Sequence, residues 1–193
     1  MRLCVVGAGY VGLVSGACFA DLGHTVVCVD TDRKKIEMLS NGEMPIFEPG
    51  LDALINTHLD TQQLSFSCDL AASVRDVDAL FIAVGTPSRT ADGWPDLSAV
   101  YAVARSAVAS LRDDAIIVVK STVPLGTGDE VERIVHERVH QRMFRQRVLL
   151  AYDSQCAMCR LRHVELLDAA HIKGDREGGV ESRDRSNATL PDE

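Results

Sequence analysis

Long apolar runs are missing from the start of this chain. Leu3 to Val6 is too short, and glycine follows it too soon, for a bilayer span. With a strand pattern beginning at Met1, no secretory leader is expected, and with that a reducing cytoplasmic setting is expected and disulfides are not. Positive charge is also scarce: 20 Lys and Arg stand against 28 Asp and Glu, a net charge of −8. That balance gives no electrostatic reason to bind nucleic acid. What remains is a 193-residue chain, 46% hydrophobic and 25% charged, long enough for one domain with a real core plus a remainder.

The acidity is unevenly placed. Residues 1–133 hold ten basic against eighteen acidic side chains, and residues 134–193 hold ten of each, so a local basic face is conceivable only in the second part. The six cysteines also fall into two groups. Cys4, Cys18, Cys28 and Cys68 sit in apolar or strand-like surroundings and read as small buried hydrophobes, whereas Cys156 and Cys159 form a C-x-x-C in a polar context.

The first thirty residues carry the most information. An apolar strand over Leu3 to Val6 leads into Gly7, Gly9 and Gly12 with G-x-G-x-x-G spacing, then a helix, then a second strand over Val26 to Val29 ending in Asp30. Gly7 lets the chain turn out of the strand, Gly9 leaves room for a pyrophosphate, and Gly12 lets the helix approach the sheet. The phosphates then meet the positive end of the helix dipole. A carboxylate at Asp30 accepts from both ribose hydroxyls of NAD and repels the 2'-phosphate of NADP, which makes NAD the expected cofactor.

Beyond Asp30, helix and strand patterns alternate. A helix over Thr31 to Ser40 is expected with Thr31 as N-cap and Asn41-Gly42 as its stop, followed by the turn PIFEPGL and a helix over Leu51 to Leu59. Strands are expected at Leu64 to Ser67, Ala79 to Val84 and Ala115 to Val119, with helices at Leu70 to Val74 and Ser98 to Leu111, and KSTVPLGTGDEVERIV reads as a strand end, a turn and the start of another helix. This alternation predicts an α/β fold, a doubly wound parallel sheet with helices on both faces. Ligands in such sheets bind beyond the carboxyl ends of the strands, which singles out the loops Gly85-Thr86-Pro87 and Ser121-Thr122-Val123-Pro124. Each threonine there either faces the cofactor or merely caps a turn.

With these residues in view, the chain from Met1 to about Ile134 resembles the N-terminal domain of the UDP-glucose/GDP-mannose dehydrogenase family, most nearly its members acting on UDP-glucose. GAGYVGLVSG, VCVD, GEMPIFEPGL, FIAVGTP and VVKSTVPLGT stand in the family's order. The resemblance implies NAD bound through Gly7 to Gly12, with Tyr10 and Val11 at the helix start, and through Asp30 and Lys35. Read alone, Lys35 is equally a solvated helix charge. Thr86 and Thr122 are implied at the nicotinamide half, Thr122 also as an accessory catalytic residue placing water or substrate near the reacting carbon. The family's reaction oxidises the sugar C6 alcohol to a carboxylate in two NAD-linked steps through a cysteine adduct. None of the six cysteines here matches that nucleophile, so the chain as given is not expected to oxidise UDP-glucose. The resemblance places the sugar-selecting residues and the dimer contact in parts of the family's length that these motifs do not reach. A nucleotide sugar is therefore a partner only with that domain supplied.

The last third changes character. Residues 135–173 resemble the start of an HNH endonuclease domain, which implies half of a structural zinc site at Cys156 and Cys159 and a general-base role for His171. A second ligand pair has no match in the polar tail. The alternative functions are thus an HNH-type fragment acting on DNA, or a non-catalytic fusion relict. The losing of the family's sixth strand is expected to leave Ala115 to Val119 at an uncovered sheet edge. Residues 174–193, charged and without apolar periodicity, are expected to be disordered.

Overall fold

In the computed structural model, residues 1–137 are described. Met1–His136 form one compact unit. The expectations placed on Cys156, Cys159, His171 and the tail lie outside the described residues.

Among the described residues, five strands build one parallel sheet. In chain order the elements are β1 (Arg2–Val6), α1 (Tyr10–Asp21), β2 (Thr25–Val29), α2 (Arg33–Ser40), α3 (Leu51–Asp60), β3 (Leu64–Ser67), α4 (Leu70–Ser73), β4 (Ala79–Ile82), α5 (Ser98–Ala107) and β5 (Ile116–Val119). Residues 127–137 are helical and form α6. The strand order is β3-β2-β1-β4-β5 and every pairing is parallel. The chain winds outward from β1 to β3, then returns to lay β4 against the other side of β1. The adjacent β1 and β4 therefore define the point where the winding reverses, the site of the crevice in doubly wound sheets.

The continuous apolar runs follow from burial on both faces. Along β1, Leu3 and Val5 join one core with α1, α2 and α3, through Leu13, Ala17, Leu39 and Ile55. Cys4 and Val6 point the other way, into a core with Leu80, Val100, Ala104 and Ile134. Side chains alternate across a strand, so a strand covered on both sides must be apolar at every position.

α1 packs closely on the sheet, and its small residues are the reason. Gly12, Ser15, Gly16, Ala17 and Ala20 form its buried side. A Cβ on Gly16 would lie 2.5 Å from the Cys28 sulfur on β2, so glycine sets how closely helix and sheet approach.

Three expectations are corrected. The N-cap of α2 is Asp32, not Thr31: the Asp32 carboxylate accepts from the amides of Lys34 (3.0 Å) and Lys35 (3.2 Å). Asp30 Oδ1 in turn accepts from the Asp32 amide at 3.0 Å, which turns the chain one residue later than the pattern suggested. α5 stops at Ala107 rather than Leu111, although the Leu111 amide still reaches the Ala107 carbonyl at 2.9 Å. Cys4 and Cys28 are buried, but Cys18 and Cys68 are exposed, one on the outer face of α1 and one just past β3. Among the described residues β5 pairs with β4 alone, and Ile116 is 59% exposed.

Candidate functional site

The site begins where β1 ends. Gly7 turns left-handed (φ 106°) and its amide donates to the Val29 carbonyl at 2.7 Å. A Cβ there would meet the Ala83 carbonyl oxygen at 2.5 Å, so only glycine lets the turn lie against the end of β4. A Cβ on Gly12 would overlap the carbonyl oxygen of Gly7, which makes helix and turn a single tight unit. Gly9 is different: nothing lies within 4 Å of where its Cβ would be. Its missing side chain leaves open space rather than filling a crowded one.

Gly9 is also the N-cap of α1 and offers no capping side chain. The amides of Tyr10, Val11 and Gly12 donate to no backbone carbonyl among the described residues, and the first helical bond there is Leu13 N–H to Gly9 at 2.9 Å. Three unpartnered amides at the positive end of a helix, with an open glycine beside them, form a cradle for an anion.

Asp30 closes one side of this cradle. Its Oδ2 accepts from the Ala8 amide at 2.8 Å and from Lys35 Nζ at 3.0 Å, and its side chain is 14% exposed. Burial alone would raise its pKa. The hydrogen bonds from the Asp32 amide, the Lys35 ammonium and the Ala8 amide, with the charge of Lys35, outweigh burial and hold the carboxyl below its ordinary value. Asp30 is thus an ionised acceptor, fixed in direction, and Lys35 is no free helix charge.

The other flank comes from the loops after β4 and β5. The Thr86 hydroxyl donates to the Thr122 carbonyl at 2.9 Å, and the Ser121 hydroxyl donates to the Val84 carbonyl at 2.7 Å. The amides of Lys120 and Ser121 both reach the Ile82 carbonyl, at 2.8 and 3.0 Å. Thr86 and Thr122 therefore meet. The contact uses the Thr122 backbone, and its hydroxyl has no hydrogen-bond partner among the described residues.

Two features escaped sequence reasoning. Ser121 acts as the staple between the two loops, and Glu48 accepts a hydrogen bond from the Tyr10 hydroxyl at 2.9 Å. PIFEPGL announced a turn through its prolines and glycine, but no spacing rule links Glu48 to a tyrosine 38 positions earlier.

Other chemistries find little support in this unit. Burial pushes the Cys4 and Cys28 thiols up to about 12, removing them as nucleophiles. Among the described residues no group of three His, Cys, Asp or Glu side chains is placed to hold a metal, and no helix is long and apolar enough to cross a membrane. The zinc ligands suggested at Cys156 and Cys159 lie outside those residues.

The profile of the UDP-glucose/GDP-mannose dehydrogenase family, NAD binding domain, matches residues 1–159. That match runs past Ile134 and takes in Cys156 and Cys159. The chain is 58% identical over 137 residues to UDP-glucose 6-dehydrogenase of Rhizobium meliloti, covering 71% of this chain and 31% of that protein. It is 50% identical over 155 residues to UDP-glucose 6-dehydrogenase of Pseudomonas aeruginosa, covering 80% and 34%. Among solved structures, a UDP-glucose dehydrogenase from Pyrobaculum islandicum superimposes with a TM-score of 0.66 at 43% identity, over 70% of this chain and 32% of that one. A GDP-mannose dehydrogenase ternary complex from Pseudomonas aeruginosa gives a TM-score of 0.64 at 40% identity, over 68% and 30%. The chain spans about a third of the length of the relatives it matches.

Proposed function

The chain belongs to the UDP-glucose/GDP-mannose dehydrogenase family and carries its NAD binding domain, and from that premise we propose how its residues hold the cofactor and which oxidation they serve. The pyrophosphate lies over Gly9, against the free amides of Tyr10, Val11 and Gly12. Asp30 accepts from the adenosine ribose hydroxyls, with Lys35 fixing the carboxylate and adding a cation at the edge. Thr86 and Thr122 frame the nicotinamide half. The observation that carries this reading is the join between the two halves of the fingerprint: Asp30 Oδ2 is bonded to the Ala8 amide inside the glycine turn itself.

The residues present fit the cofactor. Gly9 leaves the space a phosphate needs, three amides point there without partners, and the Asp30 carboxylate suits a diol rather than a phosphate. NAD, when bound, supplies the hydride acceptor. The protein's share is to orient the ring between the loops after β4 and β5, whose mutual hydrogen bonds keep that rim in one place.

The substrate we propose is UDP-glucose, oxidised at its C6 alcohol, as the names of the similar dehydrogenases suggest. Thr122, whose hydroxyl is free at the rim, is the accessory residue for that step. The nucleophile and the sugar pocket are contributed from beyond the NAD binding domain, which we place at residues 1–134 in keeping with the compact unit ending at His136. A reducing, cytoplasmic setting suits the free thiols at Cys4, Cys18, Cys28 and Cys68. NADH fluorescence titration of the intact chain tests the reading. Saturable binding that weakens on Asp30→Ala is expected, and no saturable binding by the unsubstituted chain would overturn it.

A further inference from the structure

The segment joining α2 to α3, residues 41–50, passes beside the glycine turn. Its ends are pinned: the Glu43 amide donates to the Met38 carbonyl at 2.9 Å, and the Leu51 amide donates to the Glu48 carbonyl at 3.1 Å. Gly50 turns left-handed (φ 83°), and Met44 and Ile46 rest against the core. Between these pins the amides of Met44, Ile46, Phe47 and Glu48 donate to no carbonyl among the described residues, and Phe47 is 91% exposed. The segment curves around a cavity of about 600 Å³ lined by its own residues, Met44 to Gly50, and Asp52.

What ties its middle to the cofactor site is one side-chain pair. The Tyr10 hydroxyl donates to Glu48 Oε2 at 2.9 Å. The same contact raises the Tyr10 pKa, because the hydrogen bond to Glu48 and its negative charge both favour the protonated phenol. Tyr10 is the first residue of α1, and its amide is one of the three without a backbone partner. Its ring therefore stands at the lip of the anion cradle, and a bond that fixes the ring also fixes the segment beside it.

We propose that Glu48 is a positioning residue for the cofactor site: through the Tyr10 phenol it holds the Met44–Gly50 segment against the start of α1, forming a wall beside the NAD pyrophosphate. This rests on the NAD-binding reading above. The role needs an acceptor at position 48 rather than a charge. A glutamine oxygen accepts the phenol hydrogen as well, and without a negative charge near the phosphates.

NADH titrations of the intact chain and of Y10F, E48A, E48Q and Y10F/E48A test it, with melting curves to verify folding. Y10F and E48A are expected to weaken NADH about three- to tenfold, and the double variant no more than either single one, since all three remove the same bond. E48Q is expected to bind within about twofold of the unsubstituted chain, or more tightly. Unsubstituted chain that fails to bind overturns the NAD reading and this inference together. Binding that survives in Y10F and E48A, or that falls as far in E48Q as in E48A, overturns the inference alone. A second readout needs no substitution: hydrogen exchange of the Met44, Ile46, Phe47 and Glu48 amides is expected to slow when NADH is added. Protection confined to residues 9–12, with none at 44–48, refutes the wall.

Discussion

Removing the Asp30 carboxylate gives a prediction with both a sign and a size. Asp30→Ala deletes the acceptor proposed for the ribose hydroxyls, and hydrogen bonds to charged groups are each worth about 1.5–3 kcal/mol. The site opens to solvent on one side, so a total of about 2–3 kcal/mol is the reasonable expectation, a loss of roughly 30- to 150-fold in NADH affinity. NADPH responds differently. In the unsubstituted chain its 2'-phosphate faces a carboxylate, and two unit charges about 4 Å apart repel by roughly 1 kcal/mol in water and 4 kcal/mol at a protein surface. Asp30→Ala removes that repulsion and frees Lys35 Nζ, now 3.0 Å from Asp30 Oδ2, to meet the phosphate. The NADH preference should therefore shrink by about a hundredfold or more, since the two effects multiply. The substitution also leaves the Ala8 amide without its acceptor, at a cost of about 1–3 kcal/mol in stability. Asp30→Asn is the control, because its side-chain oxygen still accepts from Ala8 while the charge is gone. Parallel fluorescence titrations with NADH and NADPH, with melting curves on the same samples, supply the measurement. Equal losses for both nucleotides in Asp30→Ala, leaving their ratio unchanged, would refute the reasoning.

Three more expectations follow from the same geometry. Asp30 has a folded pKa below its ordinary value of 3.8, so the stability it adds is present above that value and is lost as pH falls through the lowered one. The melting-temperature gap between the unsubstituted chain and Asp30→Ala should therefore be constant at neutral pH and close below about pH 4, and a gap independent of pH there would contradict the assignment. Gly12→Ala, forced against the Gly7 carbonyl, should cost about 1–3 kcal/mol or more, whereas Gly9→Ala, with open space around it, should change stability by less than about 0.5 kcal/mol and still weaken NADH at least about tenfold. Equal melting temperatures for the two variants would count against this. In a Cys156→Ser/Cys159→Ser background, a thiol reagent should titrate Cys18 and Cys68 in the native chain and reach Cys4 and Cys28 only on unfolding; four fast thiols would show that the sheet is less closed than described.

How much of this was legible beforehand depended on whether a feature was local. The glycine turn, the strand runs and Asp30 could be read because each depends on short spacing: a tight turn needs glycine nearby, and a strand buried on both faces needs apolar residues in succession. The cap of α2 was misread by one residue. Thr31 and Asp32 are both competent caps in isolation, and sequence alone ranks them poorly; the Asp30 carboxylate accepts from the Asp32 amide, two residues on, in a local turn that accompanies the later start. Cys18 looked buried because its neighbours in sequence are apolar, yet helix geometry turns it outward while Gly16 and Ala17 face the sheet. Glu48 and Ser121 were beyond reach for another reason: each reaches a partner that chain folding alone brings near, across 38 and 37 positions.

The staples between the loops after β4 and β5 bear on how such a site changes over generations. Thr86 leans on the Thr122 backbone, and Ser121 leans on Val84 and Ile82. The acceptors are main-chain carbonyls, which any residue at 82, 84 or 122 supplies, so only the two donors are tied to their residue type. Drift at this rim should be free at 82, 84 and 122 and should keep a hydroxyl at 86 and at 121. Anyone grafting either loop from a relative can move it alone if the hydroxyl at 86 or at 121 travels with it, because the carbonyl that each hydroxyl reaches across the rim is there whatever the other loop's sequence.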